Sequence, residues 1–369
     1  MAMPSSVRSV LQPSESVHLQ VEHLTVRYRV SRGELAAVDG VSFEVRPGES
    51  LGLVGESGCG KSTVAKALLR LLPGNARVEG RIALDGEDIL GMSSRELQRL
   101  RWTKISLITQ SAMNALDPVY RVGDQIVESI LAHEKVGKQA AWRRAEALFA
   151  MVGIAPERLR DYPHQFSGGM RQRAVIAMAM SLNAGLLIAD EPTTALDSIM
   201  QDQILGRIRK LQDEYHRSLI LVTHDMAVVA ETCDKLAVMY AGVIIETGST
   251  KDVLVEPYHP YTMGLVNAFP TLRGARRHLI SIPGTLPSLL APPPGCRFTS
   301  RCPFSTAHCE RVVPPLIEVG EGHFSACHYP DKAAQFRIAA TEASLWARSA
   351  RPDSDVVADD VVADEVVAE

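Results

Sequence analysis

No run of this 369-residue chain is long and apolar enough to suggest a membrane span. The longest charge-free apolar stretch, Ala174 to Ala189, is interrupted by Ser181, Asn183 and Gly185. It falls short of the roughly 18 residues that a span needs and reads instead as a helix running into a strand. The first sixteen residues, MAMPSSVRSVLQPSES, lack an apolar core and a signal-peptide layout, so the chain is expected in the cytoplasm, with any membrane association made through a partner. An excess of basic charge is also lacking. The net charge is −4, and residues 352–369 carry seven acidic residues with no Lys or Arg, which leaves +3 for the rest. A body so weakly basic gives no reason to expect nucleic acid as a partner. The closing repeats VVADD, VVADE and VVAE have a five-residue period that fits neither helix nor strand. They read as a disordered, solvating acidic tail.

Against these absences stands Gly55-Glu56-Ser57-Gly58-Cys59-Gly60-Lys61-Ser62-Thr63, a phosphate-binding loop. Its glycines let successive backbone N–H groups curl around a polyphosphate; Lys61 reaches the outer phosphates and the Ser62 hydroxyl can ligate Mg²⁺. Ser50 to Val54 reads as a short buried strand and Thr63 to Leu72 as a helix, so the phosphates would meet a helix N-terminus. His18 to Tyr28 and Gly40 to Val45 alternate apolar with polar residues like strands of a half-exposed sheet. Ile105 to Ile108 is a further strand leading to Gln110. Val122 to Val152 turns helical, and Gly153 stops it. Leu186 to Ala189 and Ser218 to Val222 have the uninterrupted apolar character of doubly covered strands. They end in Asp190-Glu191 and in Thr223-His224-Asp225, where an open α/β sheet places its ligands.

Asp190 is suited to hold Mg²⁺ through its shell, and Glu191 to polarise a water for in-line attack on a γ-phosphate. About twenty residues upstream stands Ser167-Gly168-Gly169-Met170, preceded by Phe166. This tetrad resembles the signature motif of ATP-binding-cassette ATPases, written LSGGQ, with Phe for Leu and Met for Gln. The resemblance covers roughly residues 17–332 and implies an α/β P-loop NTPase (RecA-like) core, an antiparallel β subdomain, an α-helical subdomain and a cysteine-containing C-terminal extension. It implies that Tyr28 stacks on adenine, that Gln110 senses Mg²⁺ and touches a transmembrane partner, and that Asp197 is the D-loop aspartate. His224 would contact the γ-phosphate, while Ser167, Gly168 and Gly169 would reach the nucleotide of an opposite cassette. A thioether at Met170 cannot donate as the family's amide does, yet Ser167 and Gly169 are the groups expected to reach phosphate.

Glu256-Pro257-Tyr258-His259-Pro260-Tyr261-Thr262 and the FSGGM-Arg171-Gln172-Arg173 form of the signature resemble the oligopeptide/dipeptide (and nickel) importer ATPases. Cys296, Cys302, Cys309 and Cys327 follow at wide spacing among Pro, Gly and His. In a reducing compartment a metal or iron–sulfur site is favoured over two disulfides, and the C-x2-4-C pairs that zinc prefers are missing. The importer branch implies a 4Fe–4S cluster there, with zinc as the alternative. His308, His323 and His328 read as surface residues, and Cys59 and Cys233 as structural ones.

The expected organisation is a disordered 1–16, a nucleotide-binding domain over 17–255 with its helical subdomain at about 111–185, the extension over 256–332 and the tail over 333–369. The expected function is ATP hydrolysis powering import of di- or oligopeptides, at the cytoplasmic face of a membrane. Implied partners are a second cassette ATPase in a heterodimer, two permease subunits and an extracytoplasmic binding protein. Alternatives are an importer of nickel or another small solute, a soluble cassette ATPase of DNA repair or translation, and a non-catalytic regulatory half. Intact Glu191 and His224 speak against the last.

Overall fold

The computed structural model describes residues 17–109, 115–193, 196–268 and 280–349. Gln110, Ala195, the first sixteen residues and the acidic repeats lie outside them.

The chain opens with β1 (Leu19–Val30) and β2 (Gly33–Val45), a hairpin whose burial alternates along β1. Strand β3 (Ser50–Val54) is buried at all five positions and feeds α1 (Lys61–Leu68). That helix stops four residues before the apolar pattern does. The Leu69 and Leu71 N–H groups both turn back to the Lys66 carbonyl, and Arg70 takes φ 50, a closure that ends the helix as a left-handed residue does. Strands β4 (Ala76–Leu84) and β5 (Glu87–Asp88) are joined through Asp85-Gly86, both at positive φ (51 and 86), as a two-residue hairpin turn requires. Helix α2 (Ser94–Thr103) begins in a Ser93/Glu96 capping box and leads to β6 (Ile105–Ile108). Next come α3 (Val122–His133) and α4 (Lys138–Met151), after which Gly153 turns at φ 70. They are followed by α5 (Gly168–Ala179), β7 (Leu186–Asp190), α6 (Ser198–Tyr215) and β8 (Ser218–Thr223). The remaining elements are α7 (Met226–Thr232), β9 (Lys235–Tyr240), β10 (Val243–Ser249), α8 (Thr250–Val255), α9 (Pro260–Ala268), β11 (Ile317–Gly320), β12 (His323–Ser325), α10 (Ala333–Ala339) and α11 (Ala343–Ser349).

Two compact units result. The first, Ala83–Val222 with Val45–Ser50, holds β6, β7 and β8 in parallel, with Ile105 opposite Leu186, Leu186 opposite Ser218 and Asp190 opposite Val222. Its helical part centres on Ile126, Ile130, Leu148 and Phe149, all fully buried. The second unit, Gln20–Glu44, Leu51–Ile82 and the chain from Thr223 on, pairs β3 with β9 in parallel, and then β9 with β10, β10 with β12 and β12 with β11 antiparallel. A second sheet in this unit runs β2-β1-β4.

In the C-terminal part β11 and β12 extend the sheet from β10, and two expectations need correction. Residues 333–349, placed in the tail by composition, form two helices, and Trp346 is buried with its indole N–H on the Ala340 carbonyl. His323 is no surface residue: it is 3% exposed and bonds through Nε2 to Oε1 of the fully buried Glu246 at 2.9 Å. A histidine lying inside a partner strand carries no such signal in its own neighbourhood of sequence.

Candidate nucleotide-binding site

The phosphate loop lies in the second unit, between β3 and α1. Gly55, Gly58 and Gly60 hold φ of 154, 82 and 105, values that residues with a Cβ rarely adopt. A Cβ on Gly55 would lie 2.2 Å from the Met239 carbonyl oxygen, and one on Gly60 2.3 Å from that of Ala37. Both are backbone atoms and cannot yield cheaply. Ser57 and Gly58 form the exposed tip of the loop, while Cys59 is fully buried and accepts a 3.7 Å contact from Lys61. Burial, its largest influence, pushes the Cys59 thiol up, so it serves as packing. Lys61 is 5% exposed, and its Nζ donates to the Gly55 and Glu56 carbonyls at 2.8 Å each. A phosphate entering the loop therefore meets a fixed cation and the first turn of a helix, where Ser62 and Thr63 are half-buried.

Tyr28 belongs to the same unit but is 4% exposed, with its hydroxyl donating to Thr63 Oγ1 at 3.4 Å. Burial raises its pKa. A ring enclosed to this extent packs against the loop, and a base could stack on it only if neighbouring residues withdrew. His224 follows the buried β8 and is itself exposed. The turn that carries it is set by Asp225, whose N–H donates to Thr223 Oγ1 and whose carboxylate caps α7 at Ala227 and Val228.

The first unit holds the acidic pair, Ser167 to Gly169 and Asp197. Asp190 ends β7 at 4% exposure. Glu191 follows at φ 45, a left-handed backbone unusual for a residue with a side chain, held by its N–H on the Val222 carbonyl at 2.9 Å. Ser167 caps α5 by accepting from the Met170 N–H, and the helix's first turn carries Gly168 and Gly169. Gln172, 1% exposed, donates to the Pro192 carbonyl at 2.7 Å and so ties the signature helix to the turn after Glu191. Nothing in the sequence around Gln172 marks a partner twenty residues away. Asp197 caps α6 by accepting from the Met200 N–H at 3.0 Å.

The four C-terminal cysteines line a single cavity together with Phe298, Phe304 and Phe336. None of the six cysteines, all among the described residues, forms a disulfide. Burial is the largest influence on Cys296 and Cys327, each pushed up to about 11, and on Cys302, pushed well above its ordinary value. Those three thiols are thus protonated unless a cation compensates them. Among the described residues no group of three or more His, Cys, Asp or Glu side chains could hold a metal ion, which supports neither a zinc site nor a 4Fe–4S cluster.

Parallel strands ending in acidic and polar residues in one unit, and a glycine loop that opens a helix in the other, define a P-loop nucleotide-binding protein. Residues 38–194 match the ABC transporter family and residues 245–309 match the oligopeptide/dipeptide transporter C-terminal region. The chain belongs to the ATP-binding-cassette transporter family, with the C-terminal region of its oligopeptide/dipeptide members. It is 44% identical over 329 residues to the dipeptide transport ATP-binding protein DppD of Bacillus subtilis, covering 88% of this chain and 98% of that one. It is 42% identical over 332 residues to the oligopeptide transport ATP-binding protein OppD of Salmonella typhimurium, covering 89% and 98%. The dimeric structure of MJ0796, a bacterial ABC transporter cassette, superposes with a TM-score of 0.58 at 25% identity, over 63% of this chain and 98% of that one.

Proposed function

We propose that this chain is the ATP-hydrolysing subunit that powers import of di- or oligopeptides through a membrane transporter. The observation that carries the reading is the match to peptide-transport ATP-binding proteins over nearly their whole length, C-terminal region included. In this reading the loop amides of residues 55–63 and Lys61 bind the phosphates. Ser62, Asp190 and Gln110 would hold Mg²⁺, which when bound neutralises charge developing on the phosphoryl oxygens. Glu191 orients and deprotonates the attacking water, and His224 donates a hydrogen bond to the γ-phosphate.

Ser167, Gly168, Gly169 and Asp197 face the nucleotide of a second cassette, so the working unit is a pair, and closure of the pair completes each site. The nucleotide-binding domain of this reading spans 17–255 and the extension begins at 256. Two permease subunits and an extracytoplasmic peptide-binding protein complete the transporter, and Gln110 relays the nucleotide state to a permease. Among the described residues no helix is long and apolar enough to cross a membrane, which fits attachment at the cytoplasmic face through those permeases.

The four cysteines would hold a 4Fe–4S cluster. A cubane takes its thiolates at the corners of a body wider than one ion, so they need not crowd together as the ligands of a single metal do. Four thiols on one cavity fit that demand.

Deleting the gene should abolish growth on di- and oligopeptides as the sole amino-acid source, and the wild-type gene should restore it. Unimpaired peptide growth with lost nickel uptake would move the cargo to the alternative solute.

A further inference from the structure

Residues far outside the cassette motifs grip the second residue of the phosphate loop. The Glu56 carboxylate accepts from both arms of Arg301, Nη1 to Oε2 at 2.8 Å and Nη2 to Oε1 at 2.9 Å. The Glu56 N–H donates to the Tyr261 hydroxyl at 3.0 Å. Arg301 is itself fully engaged: Nε donates to the Pro283 carbonyl at 2.8 Å, Nη2 also to Ile282 at 3.2 Å, and Nη1 also to the Tyr240 hydroxyl at 3.2 Å. Its side chain is 5% exposed, with the guanidinium 5.7 Å from the Tyr240 ring centroid. Such a two-pronged arginine–carboxylate pair fixes direction as well as charge. Burial opposes the Arg301 charge, but Glu56 and Tyr240 outweigh it. Tyr240, Tyr261 and Phe298 meet edge to face at 4.7 to 5.3 Å and wall the pair in.

The loop has little stiffness of its own, since three of its first six residues are glycines at positive φ. Its Gly55 and Glu56 carbonyls are the acceptors that hold the Lys61 ammonium. Wherever Glu56 is fixed, those two carbonyls and Lys61 are fixed with it.

We propose that Arg301, with Tyr261, is a positioning residue for the phosphate loop, preshaping it for the nucleotide by holding Glu56. The C-terminal region thereby sets ATP affinity from 245 residues away in sequence. The proposal rests on the nucleotide-site reading above. Arg301 also adjoins Cys302, and its N–H donates to the carbonyl of Phe298, which lines the cysteine cavity. The turn that carries Cys296 and Cys302 is the one that aims Arg301.

The test is a double-mutant cycle on the full-length protein, reading the Kd for Mg-ATP by calorimetry alongside the thermal midpoint. Arg301→Gln and Glu56→Gln should each weaken binding about tenfold, as loss of a charged hydrogen-bonded pair implies. The double variant should bind no worse than either single one. Arg301→Lys, which keeps the charge and loses the fork, should fall between wild type and Arg301→Gln, and it serves if the glutamine variant fails to fold. Wild-type affinity in both Arg301 variants, or losses that add in the double variant, would overturn the proposal. Lys61→Ala separates the two readings. If wild type binds no ATP, or Lys61→Ala binds as well as wild type, the nucleotide-site reading fails. If Lys61→Ala loses binding while Arg301→Gln keeps it, only this inference fails.

Discussion

Glu191 shows how a single residue is prepared for chemistry. Its backbone sits at φ 45, with its N–H on the Val222 carbonyl, a conformation costing on the order of 1–3 kcal/mol that the surrounding strands must hold in place. If its carboxylate is the general base, Glu191→Gln should preserve ATP binding and lower turnover by about 10²-fold or more. Phosphate release by the reconstituted complex measures this, and a variant keeping a tenth or more of wild-type rate takes Glu191 out of the role. Gly60 is an equally sharp case for a different reason. Its φ of 105 and the Ala37 carbonyl 2.3 Å from where a Cβ would lie leave no room for even a methyl group. Gly60→Ala should weaken Mg-ATP binding by about tenfold or more, an energy near 1.4 kcal/mol. Unchanged affinity would mean that the loop shape is not what binds.

Among the elements, β10, β12 and the start of α9 are joined through one carboxylate. Glu246, fully buried on β10, accepts from the Tyr258 N–H at 2.6 Å, from the His259 N–H at 2.9 Å and from His323 on β12 at 2.9 Å. Glu246→Ala strands these groups in the interior, and each unsatisfied one costs about 1–3 kcal/mol. The variant should lose about 3 kcal/mol or more in denaturant unfolding, and a loss below about 1 kcal/mol would show that the junction is held by packing alone. His259 adds a pH dependence. Complete burial pushes its imidazole down to about 3 from an ordinary 6.5. Between those values the unfolded chain takes up a proton that the folded chain refuses, so stability falls as pH drops from 6.5 toward 3. Above 6.5 this group contributes no slope. The slope is at most about 1.4 kcal/mol per pH unit. His259→Gln should flatten it between pH 6.5 and 5, and equal slopes in wild type and variant would place the acid sensitivity elsewhere.

For the molecule as a whole, the C-terminal region is built into the nucleotide-binding unit. The Ala36 N–H donates to the Leu289 carbonyl at 3.0 Å, and Arg297 bonds both the Ala241 carbonyl and the Asp39 carboxylate. If the cysteine cavity holds a cluster, protein purified without oxygen should carry about four irons per chain. Cys302→Ser should lose the iron and lower the thermal midpoint, because a metal-held segment folds with its metal. Colourless, iron-free wild-type protein with all thiols titratable would remove the cluster.

The local text of the sequence settled what neighbouring residues settle among themselves. The phosphate loop between a buried strand and a helix, the parallel strands at 105–108, 186–190 and 218–223, the helices of 122–151 and the Gly153 stop all follow from short-range periodicity and turn chemistry. The nucleotide motifs were legible for the same reason, since a phosphate cradle is made by consecutive residues. Tertiary structure alone decided the grip of Arg301 and Tyr261 on Glu56, the tie from Gln172 to the turn after Glu191, the enclosure of Tyr28, and the burial of His323 and Trp346. Those depend on which strand lies beside which across as many as 245 residues. A side chain's own neighbourhood in sequence records its reach and its charge, but the partner that satisfies it is fixed only when the chain packs.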